Sequence, residues 1–274
     1  MTRARPTFFL PVTALAISIA AFVPVILFDT LIFTAANSCH SPLTDQIWLA
    51  VTALGDGLVL GIVVGAFVVV NPRVVAIGIP LLLLSSLTVN LIKAVFPSIR
   101  PAELLGAVHV VGPLLRSGSF PSGHAAAAMA AGLSIASYCS FRPARAIALF
   151  MATLIGVSRI FVGAHFPKDV LAGVICALVL FLILRALFLR SLEARIPDRP
   201  PFRGRLFWTA IWLEVVTALF TIFVYGPYYS EFPAVPMVVA AVVLACLAIG
   251  YKVALNRTPA GFTVGQASSL SNGK

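Results

Sequence analysis

Three short stretches of this sequence hold the side chains best suited to chemistry. In the middle one, Phe120 to Gly132 reads FPSGHAAAAMAAG: a proline, then Ser122, Gly123 and His124 in the first turn of a small-residue helix. The opening N–H groups of a helix lack intrahelical partners and sit at the positive end of its dipole. Such an end accepts an anion, most readily a phosphate. Gly123 leaves room for close approach, and His124 exchanges a proton near neutral pH. Upstream lie Lys93 and Arg100; downstream come Ser158 and Arg159, then His165 and Asp169.

Together these residue types suit phosphoryl transfer. Lys93, Arg100 and Arg159 would supply fixed positive charge and directed donors for phosphoryl oxygens, and Ser122 with the helix start would add neutral donors. A phosphoryl transition state needs its equatorial oxygens stabilised, which such a clamp provides. His165 would attack phosphorus in line as a neutral imidazole, with Asp169 holding its other ring nitrogen. His124 would protonate the leaving oxygen and then activate water to free the phosphohistidine. The i,i+4 spacing of His165 and Asp169 faces the two groups together if the turn is helical, and Pro167 between them marks where that helix begins. Singly, each residue has a plainer explanation: an interfacial anchor for Lys93, a snorkelling end residue for Arg159, a helix-start acid for Asp169, a loop histidine for His165. Their meeting on one face is what makes the plain explanations improbable as a set.

The elements that must position them are membrane spans. Of 274 residues, 60% are hydrophobic and only 10% charged, where soluble domains carry about a quarter charged residues; mean hydropathy is +1.05. The expected class is an all-α polytopic membrane protein of about eight spans. A first span covers Phe8 to Phe28, its apolar core longer than a signal peptide needs. An external loop follows over Asp29 to Gln46, with Ile47 to Leu54 at the interface. Spans two to six cover about Leu58 to Val70, Val74 to Ile92, Ser122 to Tyr138, Ala144 to Phe161 and Asp169 to Leu189. Residues 1–190 thus form a six-span core. A basic linker occupies 191–205, a transmembrane hairpin 206–253, and a polar, disordered tail 254–274. Each run approaches the length needed to cross a bilayer.

The net charge of +10 is read through the positive-inside rule, not as a nucleic-acid footprint. Lys93, Arg100, Arg116, Arg159 and Lys168 fall on one face. The remaining basic residues fall on the other, which the rule makes cytoplasmic together with both termini. The charge-poor face, with the candidate site, would then look into the periplasm of a bacterial inner membrane. The four cysteines, at 39, 139, 176 and 246, show no metal spacing, so neither a disulfide framework nor structural zinc is expected.

The pattern Lys93-x6-Arg100-Pro101, Pro121-Ser122-Gly123-His124 and Ser158-Arg159-x5-His165-x3-Asp169 resembles the three signature motifs of the type 2 phosphatidic acid phosphatase (PAP2) superfamily, complete and in order over about Ala50 to Leu189. The resemblance implies a six-helix PAP2-like membrane core. It further implies a metal-independent lipid phosphatase with no cofactor, His165 as nucleophile and His124 as acid, and Lys93, Arg100, Ser122, Gly123 and Arg159 on the phosphate. The expected substrate is a membrane lipid phosphate or diphosphate whose tail enters laterally between helices. Undecaprenyl diphosphate is the first choice, ahead of lipid A 1-phosphate, phosphatidylglycerol phosphate and phosphatidic acid, on family grounds alone. A lipid phosphotransferase would use the same phosphohistidine, and a non-catalytic transporter is a third class. The hairpin after Arg205 goes beyond the usual six spans. His40 and His109 are external histidines, and Glu103 could repel or orient a headgroup. Glu214 is an intramembrane acid that Arg185 could pair, and Tyr225, Tyr228 and Tyr229 form an interfacial belt.

Overall fold

The computed structural model describes residues 9–69, 71–115, 118–139 and 141–196, with scattered helical positions between 212 and 248. Among the described residues every regular element is helical. α1 (Phe9–Leu27) is apolar apart from Thr13 and Ser18, is scarcely buried along its length, and packs on the last long helix. α2 (Asp29–Asn37) follows directly. α3 (Pro42–Ala53) starts at a capping box in which Ser41 and Thr44 satisfy each other's backbone N–H groups. Asp56 caps α4 (Gly57–Gly65) through the Leu58 N–H, and a short 3-10 turn, Ala66–Val69, extends it. α3 and the α4 segment meet at a 61° bend.

Asn71 caps α5 (Pro72–Val95), and its amide also donates to the Tyr138 carbonyl at 2.8 Å. α6 (Pro101–Leu105) is a single short turn of helix. Ser122 caps α7 (Gly123–Tyr138). α8 (Arg142–Phe161) and α9 (Pro167–Arg195) complete the core. α7 is the central helix, buried along most of its length between α5, α8 and α9. With little hydrophobic drive between helices in lipid, close packing must hold them, and small residues permit it. The alanines of α7 do this, and Gly132 lies against Ala148 and Ala152 of α8.

α1, α5, α8 and the first part of α9 are long and apolar enough to cross a membrane, and the bent α3–α4 pair counts as a fifth span if taken as one. α7, at 16 residues, measures about 24 Å, short of the roughly 30 Å hydrocarbon core. The described residues thus form the all-helical, membrane-spanning architecture expected from the sequence. The expected hairpin 206–253 and tail, with Glu214 and the three tyrosines, lie outside the described residues, apart from isolated helical positions.

Three expectations need correction. The segment Asp29 to Gln46, expected as an external loop, contains α2 and the start of α3. Asp29, Phe33 and Asn37 are the buried residues of α2 and share one face by their spacing of four, so the polar ones are partners of the core and not loop markers. Asp29 accepts from the Lys168 N–H at 2.9 Å and pairs with its ammonium at 2.9 Å. The sixth span, drawn from Asp169, starts two residues earlier, at Pro167, where the proline signal puts the helix start, so Lys168 falls in the first turn of α9. The basic linker expected from residue 191 begins as helix, since α9 runs on to Arg195; there Arg73 Nε donates to the Ile196 carbonyl at 2.8 Å.

The α7–α8 contact yields a stability prediction. A Cβ added at Gly132 would lie 3.0 Å from Ala152 Cβ and 3.1 Å from the Ala148 carbonyl oxygen. Gly132→Val should therefore destabilise the bundle by about 1–3 kcal/mol, seen as a lower Tm in detergent; an unchanged Tm would show that the two helices can separate freely.

Candidate active site

The site forms where α5 and α8 end and α7 and α9 begin. His165 lies in the turn between α8 and α9 and is 2% exposed. That turn needs a left-handed residue, and Gly163 supplies it at φ +74°; a Cβ there would meet the His109 carbonyl oxygen at 2.6 Å. The Ala164 and His165 N–H groups both donate to the Arg159 carbonyl at 3.1 Å.

Asp169, in the first turn of α9, holds one side of the histidine. Its Oδ2 lies 3.6 Å from His165 Nδ1, an ion-pair distance beyond hydrogen-bond range. Ser119 fills the gap: its hydroxyl donates to Asp169 Oδ2 at 2.6 Å and sits 3.4 Å from the same imidazole nitrogen. The Phe166 N–H also donates to that carboxylate oxygen, at 3.0 Å. Nδ1 is thereby engaged, and Nε2 is the ring nitrogen turned away from Asp169 and Ser119. The Asp169 carbonyl accepts from the Ser122 N–H at 2.8 Å, which sets the start of α7 against the start of α9. Gly173 makes room for this, since any Cβ there would collide with the Ser122 carbonyl.

The cations come from three elements. Lys93 sits half-buried in the last turn of α5. Arg100 is 5% exposed; it donates to the Ala164 carbonyl at 2.7 Å and the Gly118 carbonyl at 3.4 Å, tying it to the histidine's own turn. Arg159, in the last turn of α8 and equally buried, donates to Thr52 Oγ1 at 2.7 Å. Ser122 is fully buried as the cap of α7. A Cβ at Gly123 would touch only Val89, at 3.7 Å, so packing does not demand glycine there. His124 is partly exposed and faces Gly55, whose added Cβ would come within 3.1 Å of its ring.

His124, Arg100 and Arg159 line a cavity of about 420 Å³ with Thr52, Asp56 and Glu103; most of the remaining wall is apolar. Burial, reinforced by Arg159, Arg100 and Lys93, holds the His165 imidazole well below its ordinary value, against a smaller opposing pull from a Ser119 hydrogen bond. It therefore rests neutral, with a lone pair to give. Burial also lowers Arg100, while Asp169 and then Glu103 pull the other way; a guanidinium stays charged regardless.

The eight residues expected to hold the phosphate or carry the chemistry, from Lys93 to Asp169, thus gather at one end of the bundle. Sequence reasoning missed Ser119, Thr52 and Asp56, which fall in no motif; their roles appear only once distant helices meet. His109 and His40 stand apart. Their rings stack at 4.0 Å, and His109 Nε2 lies 2.9 Å from Asp45 Oδ2. Arg116 lies outside the described residues. Among the described residues, no group of three His, Cys, Asp or Glu side chains is placed to hold a metal ion.

Comparison with known proteins points to one family. The sequence profile of the PAP2 superfamily matches residues 74–192. The lipid A 1-phosphatase of Rhizobium johnstonii is 35% identical over 95 residues, which is 34% of this chain and 38% of that protein. The chain thus spans under two-fifths of that curated relative. The crystal structure of Aquifex aeolicus LpxE superposes with a TM-score of 0.53 at 31% identity, over 57% of this chain and 93% of that one. The transmembrane PAP2-type phosphatidylglycerolphosphate phosphatase from Bacillus subtilis shares the fold at 22% identity and a TM-score of 0.51, over 72% of this chain and all of that one.

The electrostatics give a direct test. An ordinary imidazole titrates at about 6.5, so lowering it keeps His165 neutral as pH falls through that value. In 15N-histidine-labelled protein, His165 should show neutral-imidazole shifts at about pH 6; a titration midpoint at or above the ordinary value would contradict the assignment.

Proposed function

The chain belongs to the PAP2 superfamily, and from that premise we propose that it is a membrane-embedded phosphohydrolase removing phosphate from a lipid phosphate or diphosphate through a phosphohistidine. The observation that carries this reading is the buried His165, engaged at Nδ1 by Asp169 and Ser119 with Arg100 and Arg159 beside it and His124 in the adjoining cavity. Lys93, Arg100, Arg159, Ser122 and the N–H groups at the start of α7 hold the phosphoryl oxygens. His165 Nε2 bonds to phosphorus as the bond to the leaving oxygen breaks, and that oxygen takes its proton from the cationic form of His124; burial and then Arg159 disfavour that cation in the empty site, and the negative charge of the bound phosphate favours it. Asp169 stabilises the positive charge that develops on His165. In the second half, His124 takes a proton from water, the oxygen attacks phosphorus, and the nitrogen–phosphorus bond breaks to return neutral His165 and phosphate. Each half uses charge stabilisation and proton transfer already assembled in the fold, and no step calls for a metal.

Leu58 and Leu114 line the same cavity and are 50% and 64% exposed, which supports lateral entry of the tail. Among substrates, a lipid A-type glycosyl phosphate moves ahead of undecaprenyl diphosphate, supported by the name of the Rhizobium relative. Phosphatidylglycerol phosphate and phosphatidic acid follow. The charge distribution supports a bacterial inner-membrane protein with cytoplasmic termini and a periplasmic site.

His165→Ala and His124→Ala should each reduce phosphate release from lipid phosphates in detergent by on the order of a thousandfold, with thermal unfolding unchanged. Near-normal turnover by either variant refutes the assigned roles. Release should persist in EDTA; inhibition would point to a bound metal instead. Transfer of labelled phosphate to a second lipid, without free phosphate, would replace hydrolase by phosphotransferase.

A further inference from the structure

We propose that Asp56 and Glu103 select the leaving group, favouring an uncharged, hydroxyl-rich alcohol such as a sugar over one that carries a second phosphate. This rests on the hydrolase reading and extends it to residues outside the three motifs. His124, the leaving-group acid, lines the 420 Å³ cavity, whereas the nucleophile His165 does not. The cavity therefore holds what departs, while the phosphorus sits at its inner edge.

Arg100 and Arg159 are the fixed cations among the described residues lining it, and Asp56 and Glu103 are the carboxylates. Once the scissile phosphate has engaged both arginines, the space beyond faces two negative groups. Arg100 already feels Glu103 before any substrate arrives. Asp56 spends Oδ1 on the Leu58 N–H, at 2.8 Å, and keeps its second oxygen as an acceptor. Ionised carboxylates accept hydrogen bonds from hydroxyls and repel a neighbouring phosphate, by an amount that partial exposure and salt keep modest. A monoester of a sugar leaves as a neutral hydroxyl after one proton from His124. A prenyl diphosphate leaves as a prenyl phosphate, still anionic, beside both carboxylates.

The test compares kcat/KM for phosphate release from a diacylated glucosamine 1-phosphate and from farnesyl diphosphate in the same detergent. It uses the full chain with Asp56→Asn and Glu103→Gln. Asparagine caps a helix as well as aspartate, and Glu103 is exposed, so both variants should fold. The unaltered protein should favour the sugar phosphate. Each variant should narrow that ratio by about three- to fivefold, the scale of a partly exposed charge, chiefly by improving the diphosphate. A preference for the diphosphate in the unaltered protein, or a ratio that neither variant moves, overturns the proposal. Absence of release from both lipids overturns the hydrolase reading and this one with it.

Discussion

The structure depends on keeping a cluster of charge dry at the ends of packed helices. Two arginines, a histidine and an aspartate are almost fully enclosed at one end of the bundle. Enclosing charge is costly unless each group is held by partners. Here the holders are largely neutral: the Ala164 and Gly118 carbonyls for Arg100, the Thr52 hydroxyl for Arg159, and the Ser119 hydroxyl and Phe166 N–H for Asp169. A carbonyl or hydroxyl positions a cation without cancelling its charge; Asp169 and Glu103 also act on Arg100, and Arg159, Arg100 and Lys93 together still bear on His165 as positive charge, a field that suits an incoming anion. Low local polarisability then makes that field stronger than the same charges would produce in water.

This requirement dictates the packing. Thr52 reaches Arg159 from the last turn of α3, just before the chain breaks between α3 and α4, and Asp56 stabilises the restart. To bring Ser122 to Asp169, α9 must approach α7 at Gly173. The alanine-rich α7 is the cheapest way to pass a helix through the middle of such an assembly, since its short side chains lose little freedom on burial and admit neighbours from three sides.

The sequence made much of this readable. Lys93, Arg100, Ser122, Gly123, His124, Arg159, His165 and Asp169 lie at helix ends, where hydropathy changes sharply, so their shared depth followed from alternating span direction. The long apolar helices were legible for the same reason. α2 was not, because a helix that buries Asp29 and Asn37 has the composition of a loop, and only contacts with Lys168 and His109 from far along the chain explain those residues. Ser119, Thr52 and Asp56 were illegible because a lone serine, threonine or aspartate carries no periodic signal; its meaning arises when a partner arrives from another helix.

Asn37 carries a consequence of this architecture. Its amide nitrogen donates to the carbonyls of His109 and Phe161, at 2.8 and 3.1 Å, and its oxygen accepts from the His109 N–H at 3.0 Å. The same His109 carbonyl abuts Gly163, and the Val111 N–H donates to the Val162 carbonyl. One asparagine near the start of the chain therefore splices the His165 turn to a loop some fifty residues before it in sequence. The signature residues alone therefore do not place His165: the turn that carries it also leans on Asn37 and on the chain around His109 and Val111, outside every motif.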